Sequence, residues 1–264
     1  KRFSLKSNNI IAQLRQVPAN DLLEAMESFQ GPRLSPTVDG LFLTKQPSQL
    51  YADGHFADVP VMAGVNSQEG AYGWILGDKT VTPENYRQVI KALYPEQQQQ
   101  ILALYPATTP EQIKNALQDL ASDRFISFST WNWLDQVTQF GSKPTYYYVY
   151  DHIRPARKVD AGGTGTHNNR GAVHSAEIEY ALGNLDVNPL YHWQPLDYQV
   201  SARLQEYFVR FIKTGNPNAP SSSLWPKMKS GKHLLIGSKQ SSTVSSDTLR
   251  QRYEFHRHNY NESQ

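Results

Sequence analysis

The segment that most constrains how this chain folds is Val59 to Val65, Val-Pro-Val-Met-Ala-Gly-Val. It is a continuous apolar run closed by the polar residues Asn66, Ser67, Gln68 and Glu69. A short apolar run bounded by turn residues reads as a buried parallel strand. Pro60 is tolerable only near its start, because proline brings no N–H to a sheet. A second strand is expected from Pro144 to Tyr150, where Thr-Tyr-Tyr-Tyr-Val-Tyr is rich in β-favouring residues. Leu234 to Ile236 reads as a short terminal strand, followed by a Ser-rich loop over 237–247.

Helices are expected around these strands. Residues 9–29 read as a helix, a turn at Pro18–Asp21 and a second helix. Asp21 would cap that second helix, with Glu24 completing a capping box and Gly31-Pro32 ending it. Val38-Asp39-Gly40 is a turn signal within the extended segment Pro36 to Leu43. Thr82-Pro83-Glu84 and Thr109-Pro110-Glu111 each place a capping Thr, a Pro at the first helical position and an acid in the first turn. Residues 110–140 read as two helices that break near Ser122-Asp123, with Gly141 stopping the second. Leu196 to Thr214 is the clearest helix. Its residues Leu196, Val200, Leu204, Tyr207, Phe208, Phe211 and Ile212 follow the spacing of one face, and Gly215 ends it. Ala161 to Arg170 has no apolar anchor and reads as a mobile loop. No internal repeat and no dividing linker stand out.

Bulk properties exclude several classes. Hydrophobic residues make up 39% of the 264, enough for a sizeable core. The formal charge is +2 and no run of like charge occurs, so no nucleic-acid partner is indicated. No apolar stretch approaches the roughly 20 residues that span a bilayer. The start of the sequence, Lys-Arg-Phe-Ser-Leu-Lys, lacks an apolar core of signal-peptide length. There is no cysteine, which excludes thiolate catalysis, Cys-based zinc sites and disulfides. Low charge with many Asn, Gln, Ser and Tyr leans towards a periplasmic or secreted protein. The 15 Tyr and 5 Trp suit a cleft that binds a partly apolar molecule.

Two residues could carry proton chemistry. Glu69 follows the apolar strand on a turn, with Gly70 leaving the backbone free; the plainer alternative is a surface carboxylate. His174 lies in Gly-Ala-Val-His-Ser-Ala-Glu-Ile-Glu-Tyr, and imidazole exchanges protons near neutrality; the alternative is an ordinary loop histidine. In order they match the acid and base of a Ser-Glu-His triad, yet no Gly-x-Ser-x-Gly elbow occurs in the sequence. Ser67 and Ser175 lie on no such turn. Glu177 is a supporting carboxylate beneath the site or a helix-start carboxylate meeting the dipole. Tyr72 and Trp74 would line the substrate cleft or pack in the core. His256-x-His258 lies in a tail without an acid cluster and reads as solvated, and His167 sits in the unanchored loop.

Five stretches in order resemble the type B carboxylesterase and cholinesterase-like family of α/β-hydrolases. They are Val38-Asp39-Gly40 with Leu43, Val59 to Gly70, Tyr146 to Tyr150, Gly171 to Gly183 with His-x-x-Glu-Ile-Glu, and Arg203 to Pro226 with Thr-Gly-Asn-Pro-Asn and Leu-Trp-Pro. The resemblance implies an α/β fold in which residues 1–264 are the C-terminal half of an α/β-hydrolase domain, a mostly parallel central sheet flanked by helices. It implies ester hydrolysis through a serine acyl-enzyme, with Glu69 as acid, His174 as base, Glu177 as a buried support and Tyr72 at the wall of the gorge. The small-molecule substrate would be an ester, and no metal or organic cofactor is called for. The nucleophile and the oxyanion loop would come from a companion N-terminal chain or segment. Lack of cysteine looks like a bacterial-type member, and Ser175 stands where a Gly commonly follows the histidine. The alternative is a non-catalytic adhesion or scaffold relative that has lost the serine.

Overall fold

The expected pair of N-terminal helices forms as α1 (Ile10–Leu14) and α2 (Ala19–Glu27). The computed structural model describes residues 9–29, 36–158, 170–219, 224–237 and 241–262. Two compact units result, Lys1–Gln46 and Pro47–Gln264. In the first unit, Pro18 rather than Asp21 stands at the start of α2, so Asp21 lies inside the first turn and caps nothing. The cap falls three residues earlier than expected, at Pro18, whose backbone is extended. Asp39 closes its turn as expected, its Oδ1 accepting from the N–H groups of Leu41, Phe42 and Leu43 at 2.8–3.0 Å. Gly31-Pro32 and most of Ala161 to Arg170, with His167, lie outside the described residues.

The second unit is organised by a sheet ordered β1-β2-β3-β4. Its strands are β1 (Val61–Asn66), β2 (Thr145–Tyr150), β3 (Lys232–Ile236) and β4 (Ser241–Ser245). β1 and β3 both run parallel to β2, and β4 is antiparallel to β3. The helices are α3 (Pro47–Ala52), α4 (Gly73–Leu76), α5 (Pro83–Leu93), α6 (Gln98–Leu104), α7 (Pro110–Ser122), α8 (Phe128–Phe140), α9 (Ile178–Leu182), α10 (Pro195–Thr214) and α11 (Asp247–Glu262). Thr82 and Thr109 cap α5 and α7 as their sequences predict, Thr109 within a full capping box.

β2 explains why helices lie on both faces of the sheet. Its side chains alternate, and both sets are largely buried against apolar neighbours. Tyr146, Tyr148 and Tyr150 pack with Leu204 and Tyr207 of α10 and with Trp225. Tyr147 points the other way, towards Trp131 and Leu134 of α8 and Tyr253 of α11. The Trp225 indole N–H donates to the Tyr147 carbonyl, and Asn218 grips both main-chain groups of Trp225. That clamp is the physical content of the Gly-Asn-Pro-Asn and Leu-Trp-Pro signatures. A third core, built from α4 to α7, holds Ile90, Ile101, Ile113, Leu117 and Leu120.

Three expectations need correction. The 110–140 helix does not break: α7 widens into one π-helical turn, Asp123–Ser127, and continues as α8. The Ser-rich 237–247 segment is not all loop, because β4 satisfies the free edge of β3 with a full antiparallel ladder. The tail carrying His256 and His258 is helix α11, and His256 is buried, its Nε2 2.9 Å from the Tyr105 hydroxyl.

Candidate active site

The ends of β1 and β2 set the site. Beyond Asn66 the chain leaves β1, and the Ser67 N–H donates to the Tyr150 carbonyl at the end of β2. The histidine segment then docks on this turn. Gln68 N–H donates to Ala172 O at 2.8 Å, Ala172 N–H donates to Ser67 Oγ at 2.9 Å, and Gln68 pairs with Val173 as an isolated parallel bridge. Gly171 permits this approach, since a Cβ there would lie 2.0 Å from Ser67 Oγ.

These contacts bring Glu69 and His174 together. Glu69 is 7% exposed. Its Oε1 accepts the Asn66 N–H at 2.7 Å, and its Oε2 lies 2.5 Å from His174 Nδ1. The His174 side chain is 51% exposed on its other side. Nδ1 therefore carries the proton shared with Glu69, and Nε2 is left as the accepting nitrogen. The role of Gly70 differs from the one its position suggests. Its φ is not in the left-handed region; instead a Cβ would lie 2.5 Å from the Ala121 carbonyl carbon. The acid turn is pressed against the end of α7, where Ser122 Oγ accepts the Gly70 N–H and the Gln118 amide donates to the Gly70 carbonyl.

The other residues fall around this pair. Glu177 sits beneath it, accepting from Asn66 Nδ2 at 2.5 Å, and also stands at the N-cap of α9 without capping it. Trp74 is 62% exposed and so is not core. Its ring meets Phe125 edge-on at 5.3 Å, and Phe125 meets His174 edge-on at 5.1 Å. Tyr72 is half-buried against the α4–α7 core, with Lys114 Nζ 5.9 Å from its ring centre. Ser67 Oγ is engaged by Ala172. Ser175 has φ +63°, the left-handed region that glycine adopts most easily, which explains the common glycine at this place. Its carbonyl accepts from Arg154, which also pairs with Glu179. Phe125, Asn66 and Arg154 are the site neighbours that sequence patterns missed. The nearest signal was the helix break expected near Ser122-Asp123, where the structure places the π turn Asp123–Ser127, a feature that clusters at functional sites.

The family model described as the carboxylesterase family matches residues 3–256. The chain belongs to the carboxylesterase family. Similar members include an acetylcholinesterase of Bungarus fasciatus, 25% identical over 72% of this chain and 33% of its own length. A pyrethroid hydrolase Ces2e of Rattus norvegicus is 27% identical over 76% of this chain and 37% of its own length. Carboxylesterase 4A of Bos taurus is 26% identical over 77% and 38%. The chain thus spans about a third of the length of these carboxylesterase-family relatives. Among the described residues no helix is long and apolar enough to cross a membrane.

Proposed function

We propose that this chain supplies the acid and base of a serine carboxylesterase whose nucleophile lies outside residues 1–264. The observation that carries this is the 2.5 Å contact between buried Glu69 and the inner nitrogen of a half-exposed His174. Such a pair holds imidazole in the tautomer that accepts a proton at Nε2. Membership of the carboxylesterase family and the names of its relatives support ester chemistry.

The steps follow from these roles. Nε2 of His174 takes the serine hydroxyl proton as Oγ bonds to the ester carbonyl carbon. Glu69 stabilises the resulting imidazolium. The tetrahedral intermediate collapses, and the proton on Nε2 passes to the leaving alkoxide, giving the alcohol and an acyl-enzyme. Water then repeats the attack, yielding the acid and free serine. The exposed Trp74–Phe125 strip beside His174 suits an apolar acyl or alcohol group of a small ester.

The companion would join at β1. Among the described residues β1 pairs only with β2, and Val-Met-Ala-Gly-Val-Asn carries no charge. The opposite edge, Ser-Ser-Thr-Val-Ser of β4, is polar. Natural free edges are polar, charged or covered, so the apolar edge is the one a further strand would cover.

The test is steady-state hydrolysis of p-nitrophenyl butyrate by the complete protein. His174→Ala and Glu69→Gln should each lower kcat on the order of ten-thousandfold. Activity unchanged in His174→Ala would sink the assignment, and a wild type without any esterase activity would favour the non-catalytic relative.

A further inference from the structure

Asn66 ends β1 between the acid and the segment that carries the base. It is 2% exposed. Its main-chain N–H donates to Glu69 Oε1, the oxygen turned away from His174. Its Nδ2 donates to the Val173 carbonyl at 2.7 Å and to Glu177 Oε2 at 2.5 Å. A carbonyl and an ionised carboxylate only accept, so the amide nitrogen must face them. No other side chain of this size offers two protons from one neutral atom. An ionised Asp would offer none and would add a third negative charge beside Glu69 and Glu177.

The Val173 carbonyl belongs to the peptide that leads directly into His174. On the far side of the base, the Ser175 carbonyl is held by Arg154 Nη2 at 2.9 Å. Other ties between the acid turn and this segment act at Ala172, at the isolated bridge to Val173, and through the Gln68 side-chain oxygen, which accepts the N–H groups of Arg170 and Gly171. Asn66 therefore touches the acid with its main chain and the base's own segment with its side chain.

We propose that Asn66 is a positioning residue for the reaction, bracing Glu69 and the Val173 peptide together and so setting the direction of His174 Nε2. This rests on Glu69 and His174 acting as acid and base. Besides those two and Glu177, Tyr148 on β2 is the titratable neighbour; burial, then Glu177 and Glu69, hold its phenol above its ordinary value.

The test compares wild type, Asn66→Ala and the isosteric Asn66→Asp in the complete protein. It reads kcat and KM against pH, thermal melts, and the NMR signals of the His174 ring. Asn66→Ala should lose roughly ten- to hundredfold in kcat, with KM within about twofold. In Asn66→Asp the acid limb of the rate profile should move up by about one pH unit or more, because an added negative charge favours the imidazolium. Should Asn66→Ala fail to fold, Asn66→Asp carries the test. Variants that melt like wild type and keep its kcat and pH limb would overturn the brace, as would a loss confined to KM. If wild type hydrolyses no ester, the acid–base reading fails separately. The His174 ring signals then decide the brace: a change in Asn66→Ala supports it and identical signals reject it.

Discussion

Ser175 shows how one residue can oppose its backbone. It holds φ +63° directly after His174, where a side chain costs about 1–2 kcal/mol. Ser175→Gly should stabilise the protein by about 0.5–1 kcal/mol after the extra freedom of the unfolded glycine is subtracted. Ser175→Val should destabilise it by at least as much, and urea unfolding measures both. Buried histidines make a second prediction. Burial pushes His233 and His256 down to about 4. The unfolded chain therefore binds more protons between about pH 6.5 and about pH 4, and stability falls as pH drops through that window. Each contributes on the order of 3 kcal/mol. Asp123 opposes this: burial raises it to about 6, so its protonation favours the fold as pH falls from there to about 4. His233→Gln, unable to titrate, should lose less stability than wild type between pH 7 and about pH 4.5. Equal losses would mean that His233 is protonated in the native state. At this scale Glu69 and His174 were legible because each lies in a local pattern of turn and small residues. Phe125, Asn66 and Arg154 were not, because their roles depend on partners brought together only by the sheet and the widened helix.

At the scale of elements, the π turn Asp123–Ser127 is the joint between core and site. Asp123 is buried and held by Arg252 Nε at 2.9 Å and the Tyr105 hydroxyl at 2.6 Å. Arg252 also reaches Asp119, which pairs with Arg170 ahead of the histidine segment. This anchors the turn that presents Phe125 to His174. Asp123→Ala should cost roughly 3 kcal/mol by leaving Arg252 largely buried beside Asp119 alone, and should weaken the Phe125 contact; unfolding and NMR of the His174 ring check the two parts. Gly70→Ala should cost roughly 1–3 kcal/mol, because its Cβ would meet the Ala121 backbone. A cost near zero would show that the acid turn can move away from α7. Capped helices and the Tyr-rich strand were readable from sequence since their signals are local. α11 and β4 were not. α11 buries only a few residues, including Tyr253, Phe255 and His256, in an otherwise polar helix. β4 is a Ser-rich edge whose stability comes from β3.

For the whole molecule, the order of strands, the alternation within β2 and membership of the carboxylesterase family describe the same α/β architecture. What the chain does by itself was less legible, because it spans about a third of the length of its relatives. The acid turn that follows β1, the half-exposed His174 and the exposed rings of Trp74 and Phe125 lie together at one end of the sheet. On the proposed function, a serine from outside residues 1–264 completes the site there. Fluorophosphonate labelling of the complete protein, read by intact mass and peptide mapping, tests this most directly. The expected result is one label on a serine outside residues 1–264, lost in the His174→Ala variant. A label on Ser67 or Ser175, or no label on an otherwise folded wild type, would contradict it.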